Sequence, residues 1–360
     1  MTENKYCIIM AGGIGSRFWP ISSTEKPKQF IDILGVGKTL IQQTYERFIK
    51  IIPNENIFVV TNEIYFDLVK KQIPNILTKN ILTEPMRRNT APCILYASLK
   101  IKQQNQNAKV VVTPADHLIL NEVEFLKDIL EAFNFLTNNN DCLLCLGITP
   151  NRPATGYGYI KMAENLNKYS FYKVGNFTEK PNSEIAKQFI TNGNYLWNAG
   201  IFIWENETIL NNIKQFLPET YLIFENNINF LNTELEKQTI ENIYSEIKAI
   251  SIDFGVMEKV EKVCVKKTDF GWSDLGTWNS LYSIAEKDKN ENVITNNSKI
   301  ILNNSNGNYI KSECDKILAL KDLDDFIVID TKDVLLICKR ENENEIEKML
   351  NFAKENFGIK

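Results

Sequence analysis

YCIIMAGGIGSRFWP (6–20) opens as an apolar run and breaks abruptly into glycines, an arginine and an aromatic pair. A strand buried on both faces reads as a continuous apolar run, so 6–12 predicts a central strand with a polar loop at its carboxyl end. The same texture returns at NIFVVT (56–61), KVVVTPAD (109–116), CLLCLGIT (142–149) and NAGIFIW (198–204). Between these runs, 39–52, 62–73, 91–104 and 123–136 carry helical spacing. The alternation predicts an α/β fold: an open, mainly parallel, Rossmann-like sheet with helices on both faces. Ligands of such sheets bind beyond the carboxyl ends of the strands, where the polar motifs fall.

From about Asn292 the texture changes to short β segments separated by Asn, Gly and Asp turns, then an amphipathic helix over 343–357. This predicts a catalytic domain over 1–285 and a small β-rich domain over 286–360. The spacing hints at stacked rungs, without a clean hexapeptide repeat.

The 360 residues are 44% hydrophobic and 24% charged, with a formal net charge of -4. That mild acidity argues against a nucleic-acid or membrane-surface partner, which would want a basic field. The start, MTENKYCIIMAGG, holds too short an apolar run for a signal-peptide core, and no run approaches the length of a membrane span. The seven cysteines are scattered; Cys142 and Cys145 form a C-x-x-C inside a strand-like run and read as buried thiols rather than a zinc site. Reduced thiols without an export signal point to the cytoplasm.

The loop Gly12-Gly13-Ile14-Gly15-Ser16-Arg17 suits a phosphate chain, since glycines let backbone N–H groups approach an anion. Arg17 and, in EKPKQF (25–30), Lys28 add positive charge. A dinucleotide fingerprint from Gly13 would want glycine at position 18, which is Phe18. Likewise GKT (37–39) would need glycine at position 32, which is Asp32. An ordinary strand-to-helix turn explains the glycines but not the cations that follow.

Asp116 ends the VVVTPAD run, and Asp274 sits in DFGWSDLGTW (269–278). Magnesium accompanying a nucleotide takes one or two protein carboxylates, so two aspartates on different loops suffice; helix capping and turn formation are the alternative roles. His117 is the single histidine, and no nucleophile elbow stands near any motif. Nucleotidyl transfer needs neither, because a sugar phosphate is already an anionic nucleophile.

Together AGGIGSRFWPIS with EKPKQF (11–30), LIQQTYERF (40–48), EPMRRNTAP (84–92), TPADH (113–117), GITPNRPATGYGYI (147–160), FTEKPN (177–182), LWNAGIFIW (196–204) and DFGWSDLGTW (269–278) resemble the sugar-nucleotide pyrophosphorylase family. Within it, EPxxRNTAP and PKQF lean toward its guanylyl-transferring members. The resemblance implies a nucleotidyltransferase that joins GTP and mannose 1-phosphate, with Mg2+, to give GDP-mannose and pyrophosphate. It implies a nucleotide cradle from Ala11, Gly12, Gly13 and Gly15, triphosphate contacts from Arg17 and Lys28, and a base side from Glu84, Arg88, Asn89 and Thr90. Asp116 and Asp274 are then the metal-holding pair, and Gly156, Tyr157, Glu179, Lys180 and Asn198 the sugar-phosphate side.

The C-terminal part resembles more loosely a truncated left-handed β-helix, with DFIVIDTKDVLLICKR (325–340) carrying the likeness. Longer relatives add a metal-dependent isomerase domain, and the end at Lys360 with one histidine leads to the expectation of a single activity. The alternatives are the same chemistry on glucose 1-phosphate with dTTP or UTP, and a non-catalytic subunit that binds sugar nucleotides. No oligomeric state follows from the sequence, and a homodimer stays open.

Overall fold

A computed structural model describes residues 4–13, 16–167, 170–295 and 299–358. By packing, the chain divides into two compact units: 1–12, 44–115 and 119–272 form the first, and 13–43, 116–118 and 273–360 the second.

The strands up to Ser273 are β1 (Lys5–Met10), β2 (Ile57–Asn62), β3 (Ile81–Glu84), β4 (Lys109–Pro114), β5 (Leu118–Ile119), β6 (Leu143–Ile148), β7 (Tyr159–Asn167), β8 (Phe171–Thr178), β9 (Tyr195–Glu205), β10 (Val263–Thr268) and β11 (Trp272–Ser273). The interleaved helices are α1 (Leu40–Phe48), α2 (Phe66–Gln72), α3 (Thr90–Gln104), α4 (Glu122–Leu136), α5 (Ser183–Asn192), α6 (Asn206–Phe216), α7 (Pro218–Asn226) and α8 (Glu236–Glu246). Local chemistry sets several of their ends. The Asn121 side chain accepts from the Glu124 amide at 3.1 Å to start α4, and Asn182 accepts from Ile185 at 2.9 Å to start α5.

The first unit is built on a nine-stranded sheet in the order β3-β2-β1-β4-β9-β6-β10-β8-β7. Pairs β1–β2, β1–β4, β2–β3 and β6–β10 are parallel. β9 runs antiparallel to β4, β6 and β7, and β8 antiparallel to β10 and β7. Seven of the nine strands thus point one way, in keeping with a mainly parallel sheet, and β8 and β9 are reversed, which the sequence reading did not foresee. NAGIFIW misleads because its apolar run reports burial on both faces; a central antiparallel strand buried in the same way has the same composition. One core cluster gathers Phe202, Trp204, Leu210 and Tyr244 with Tyr6, Ile8, Phe58, Val60, Val110 and Val112 of β1, β2 and β4. Among the described residues, no helix is long and apolar enough to cross a membrane.

In the second unit, α9 (Trp278–Ile284) precedes β12 (Val293–Thr295), β13 (Ile300–Asn303), β14 (Tyr309–Ser312), β15 (Leu318–Lys321), β16 (Phe326–Asp330) and β17 (Leu335–Lys339), and α10 (Ile346–Phe357) closes the chain. Strands stack in the orders β12-β14-β16-β17 and β13-β15, parallel except for β16–β17. Successive rungs are joined by polar ladders: Asn308 donates to Asn292 at 2.9 Å, and Asn304 to Asp322 at 2.6 Å. The Asn and Asp turns between these β segments thus form the corners of stacked coils. Asn292 and Asn308 are buried there, each satisfied by neighbouring rungs.

These units do not follow a boundary at 285/286. Phe18, Trp19, Ile31 and Ile33 share one apolar cluster with Trp278, Tyr309, Ile327, Ile329 and Leu350. The aromatic pair after the glycine loop is therefore packed into the C-terminal β unit.

Candidate active site

Lys28 is the centre of the second unit's polar chemistry. Its ammonium lies 2.9 Å from Asp116 Oδ2 and donates to the backbone carbonyls of Asp274 at 2.6 Å and Leu275 at 3.0 Å. Three acceptors use the three donors that a lysine has. The Lys28 side chain is 5% exposed, whereas Asp116 keeps 32% of its own surface in water. Burial alone would raise the Asp116 carboxyl; the charges of Lys28 and His117, with hydrogen bonds from Lys28 and its own backbone, hold it below the usual range. Asp274 is fixed by the Gly276 amide, which donates to its Oδ1 at 3.0 Å. A Cβ on Gly276 would stand 2.7 Å from Asp274 Oδ2, so the D-L-G spacing leaves room for that carboxylate.

Arg17 lies in a short 3-10 turn (Ser16–Phe18), exposed, while the flanking Phe18 and Trp19 are buried. Phe18 sits edge-on to Trp278 at 5.0 Å and beneath the Lys28 ammonium at 5.7 Å. Gln29 donates to the Gly13 carbonyl at 2.8 Å, tying the glycine loop to the PKQF segment. Gly15 lies outside the described residues. Lys28, Asp116 and Asp274 are thus brought together, but Lys28 is an internal strut rather than an open cation.

The remaining predicted residues belong to the first unit. The Ala11 amide donates to the Val60 carbonyl at 2.8 Å and its carbonyl accepts from the Thr61 hydroxyl, so sheet pairing engages that amide. Glu84 is buried, accepts from the Tyr244 hydroxyl at 2.8 Å and stands 3.5 Å from where a Gly12 Cβ would be. Burial pushes its carboxyl up to about 7 against the Tyr244 hydrogen bond and the Arg87 charge. Arg88 donates to the Tyr244 carbonyl at 2.8 Å. Asn89 and Thr90 start α3, and the Thr90 hydroxyl accepts from the Ile252 amide at 2.9 Å. EPMRRNTAP is therefore stitched to the 250–252 segment, also through Ile250 N–H to Arg88 O at 3.0 Å.

On the sugar side, the Asn198 amide donates to the Gly158 carbonyl at 2.8 Å. A side chain at Gly158 would come within 2.6 Å of Glu179 Oε2, displacing that carboxylate, whereas Gly156 faces open space. The glycine that the geometry requires is therefore Gly158. Lys180 is largely exposed and pairs with Glu179 at 2.8 Å. Tyr157 meets Trp197 at 5.0 Å and Trp272 at 5.2 Å, and the Arg152 guanidinium lies 5.3 Å over Trp197. Tyr244, Arg152 and Asp253 were missed from the sequence. Only a partner's position reveals them: Tyr244 meets a glutamate 160 residues away, and Asp253 an asparagine 55 residues away.

A buried cation that braces two aspartate-bearing loops leaves hard carboxylate oxygens that could hold a divalent cation against phosphate oxygens. The nucleotidyl transferase family profile matches residues 6–291. A mannose-1-phosphate guanylyltransferase of Salmonella typhimurium is 34% identical over 354 residues, covering 97% of this chain and 72% of that protein. Its counterpart from Klebsiella pneumoniae is 33% identical over 97% of this chain and 74% of its own length. A Thermus thermophilus crystal structure titled mannose-1-phosphate geranyltransferase superimposes with a TM-score of 0.85 at 27% identity, over 98% of this chain and 99% of the other. The chain belongs to the nucleotidyl transferase family of enzymes, among the mannose-1-phosphate guanylyltransferases.

Proposed function

We propose that the protein transfers a guanylyl group from GTP to mannose 1-phosphate, releasing pyrophosphate. Its relatives' activity suggests the substrates, and the observation that carries the chemistry is the Lys28 ammonium joining the Asp116 carboxylate to the Asp274–Leu275 backbone. A phosphate oxygen of the sugar phosphate attacks the α-phosphorus of GTP; the new P–O bond forms as the bond to the departing pyrophosphate breaks. Arg17, exposed beside the glycine loop, would neutralise charge on the phosphates. Lys28 keeps Asp116 ionised and holds the two aspartate loops in register.

Asp116 and Asp274 fit Mg2+, because both present hard carboxylate oxygens and magnesium needs only one or two from the protein. No group of three or more His, Cys, Asp or Glu suited to a metal occurs among the described residues, which that modest requirement accommodates. Bound magnesium would supply charge neutralisation at the reacting phosphates. The rung offsets of 16 and 18 residues in the C-terminal unit support its reading as a short left-handed β-helix.

A panel of four nucleoside triphosphates against mannose, glucose and N-acetylglucosamine 1-phosphates, read by pyrophosphate release with magnesium and then with chelator, tests the reading. GTP with mannose 1-phosphate should lead, and chelation should abolish turnover. Asp116→Ala should cost on the order of 100-fold or more in kcat. A folded Asp116→Ala protein with normal rates would sink the assignment.

A further inference from the structure

We propose that Asp253 is a sugar-recognition residue, forming with Asn198 and Glu179 a polar edge at which its carboxylate accepts a hydrogen bond from a hydroxyl of the sugar phosphate. This rests on the proposed function and names a residue that lies outside the motifs quoted above.

Asp253 opens a π-helical turn (Asp253–Met257), a geometry that proteins use sparingly and often at functional sites. The turn is anchored just upstream. Ala91 N–H donates to Ile250 O at 3.1 Å, and Ile252 N–H to Thr90 Oγ1 at 2.9 Å. Asp253 Oδ1 then accepts from Asn198 Nδ2 at 2.8 Å, while Asn198 Oδ1 accepts from the Gly200 amide at 3.0 Å. These two bonds fix which way the Asn198 amide faces and leave it one N–H to offer.

Gly158 joins the three side chains. The position that its Cβ would occupy is 2.6 Å from Glu179 Oε2 and 3.6 Å from Asn198 Cβ. The missing side chain lets the Glu179 carboxylate lie against the Gly158 backbone beside Asn198, to which Asp253 is bonded.

The electrostatics show what this edge lacks. Burial pushes the Asp253 carboxyl up to about 6; Asn198 and its own amide pull it down, while Glu179 and Glu258 push it further up. The Cys145 thiol also faces it and is itself raised, first by burial. The leading charges acting on Asp253 are thus acids, while the cation at this edge, Lys180, is bonded to Glu179. Sugar hydroxyls are donors that bring no charge to be desolvated.

The test measures steady-state kinetics of the full chain with GTP against mannose 1-phosphate and its 2-, 3-, 4- and 6-deoxy analogues. Asp253→Ala should raise KM for mannose 1-phosphate about tenfold or more, with KM for GTP within about twofold. It should also lose the wild-type preference for mannose 1-phosphate over one particular deoxy analogue, while keeping the preference over the others. Asp253→Asn, which keeps the size and one acceptor, should fall between wild type and Asp253→Ala, and it carries the test if the alanine variant does not fold. The proposal is overturned if either folded variant keeps the full wild-type discrimination against all four analogues, or raises both KM values by the same factor. A wild-type protein that turned over none of the mannosyl phosphates would overturn the functional reading itself, which is a separate result.

Discussion

Lys28 shows how a residue can be recognisable in sequence while its job is not. A lysine after Pro27 near a glycine loop invites a phosphate contact, yet its ammonium is enclosed by one carboxylate and two carbonyls. Lys28→Met should therefore damage both structure and chemistry. We expect a loss of roughly 1–3 kcal/mol in urea unfolding, below the figure for a fully buried pair because Asp116 still sees water. Turnover should fall on the order of 100-fold. A variant with unchanged stability would show that the strut is not needed. Glu84 makes a prediction in pH. Its native carboxyl titrates at about 7, against an ordinary value of 4.5. The native state thus holds a proton that the unfolded chain has released, and this group subtracts stability as pH rises from 4.5 through 7. Glu84→Gln should be more stable than wild type at pH 8, by up to roughly 3 kcal/mol, and nearly equal to it at pH 4. Thermal melts at both pH values check the sign; a variant less stable at pH 8 refutes it.

At the scale of elements, the C-terminal rungs depend on side chains as much as on their strands. Asn308 donates to Asn292 Oδ1 and Leu323 O and accepts from the Phe326 amide, all at 2.7–2.9 Å. Asn308→Ala removes these three side-chain bonds; Asn292 Oδ1 and Leu323 O keep the backbone amides of Asn308 and Asn306, while the Phe326 amide loses its acceptor, and the change should cost about 1–3 kcal/mol, measured by denaturant unfolding. Asn306, at an exposed corner of the same ladder, should cost well under half as much when replaced by alanine. Equal losses would mean that the ladders matter only as surface turns. The periodicity of 109–114 or 122–136 was enough to place β4 and α4 to within two residues, because each buries a stretch long enough to show its period. β3, β7, β8 and β10 escaped notice; the first is four residues long, and the hairpin β7–β8 is half exposed with interrupted register.

At the scale of the whole chain, the segment that follows the glycine loop, 16–43, belongs by packing with the residues from Ser273 on. Phe18 and Trp19 lie in one cluster with Tyr309, Ile327 and Leu350. A chain ending at 285 should therefore lose those partners, expose the aromatic pair and show at least a 100-fold lower turnover, with faster proteolysis within 13–43. A truncated protein with full turnover would restore the boundary at 285/286. What the sequence determined alone was local and chemical: where the longer buried strands and several helices lie, the loop that suits phosphate, two isolated aspartates, and the kinship that its ordered motifs declare. Strand direction, the enclosure of Lys28, the engagement of the Ala11 amide in sheet pairing and the Asp253–Asn198 pair were decided only in three dimensions. Local pattern records how buried a segment is and with what period; which distant group meets which is settled by the packing of the entire chain.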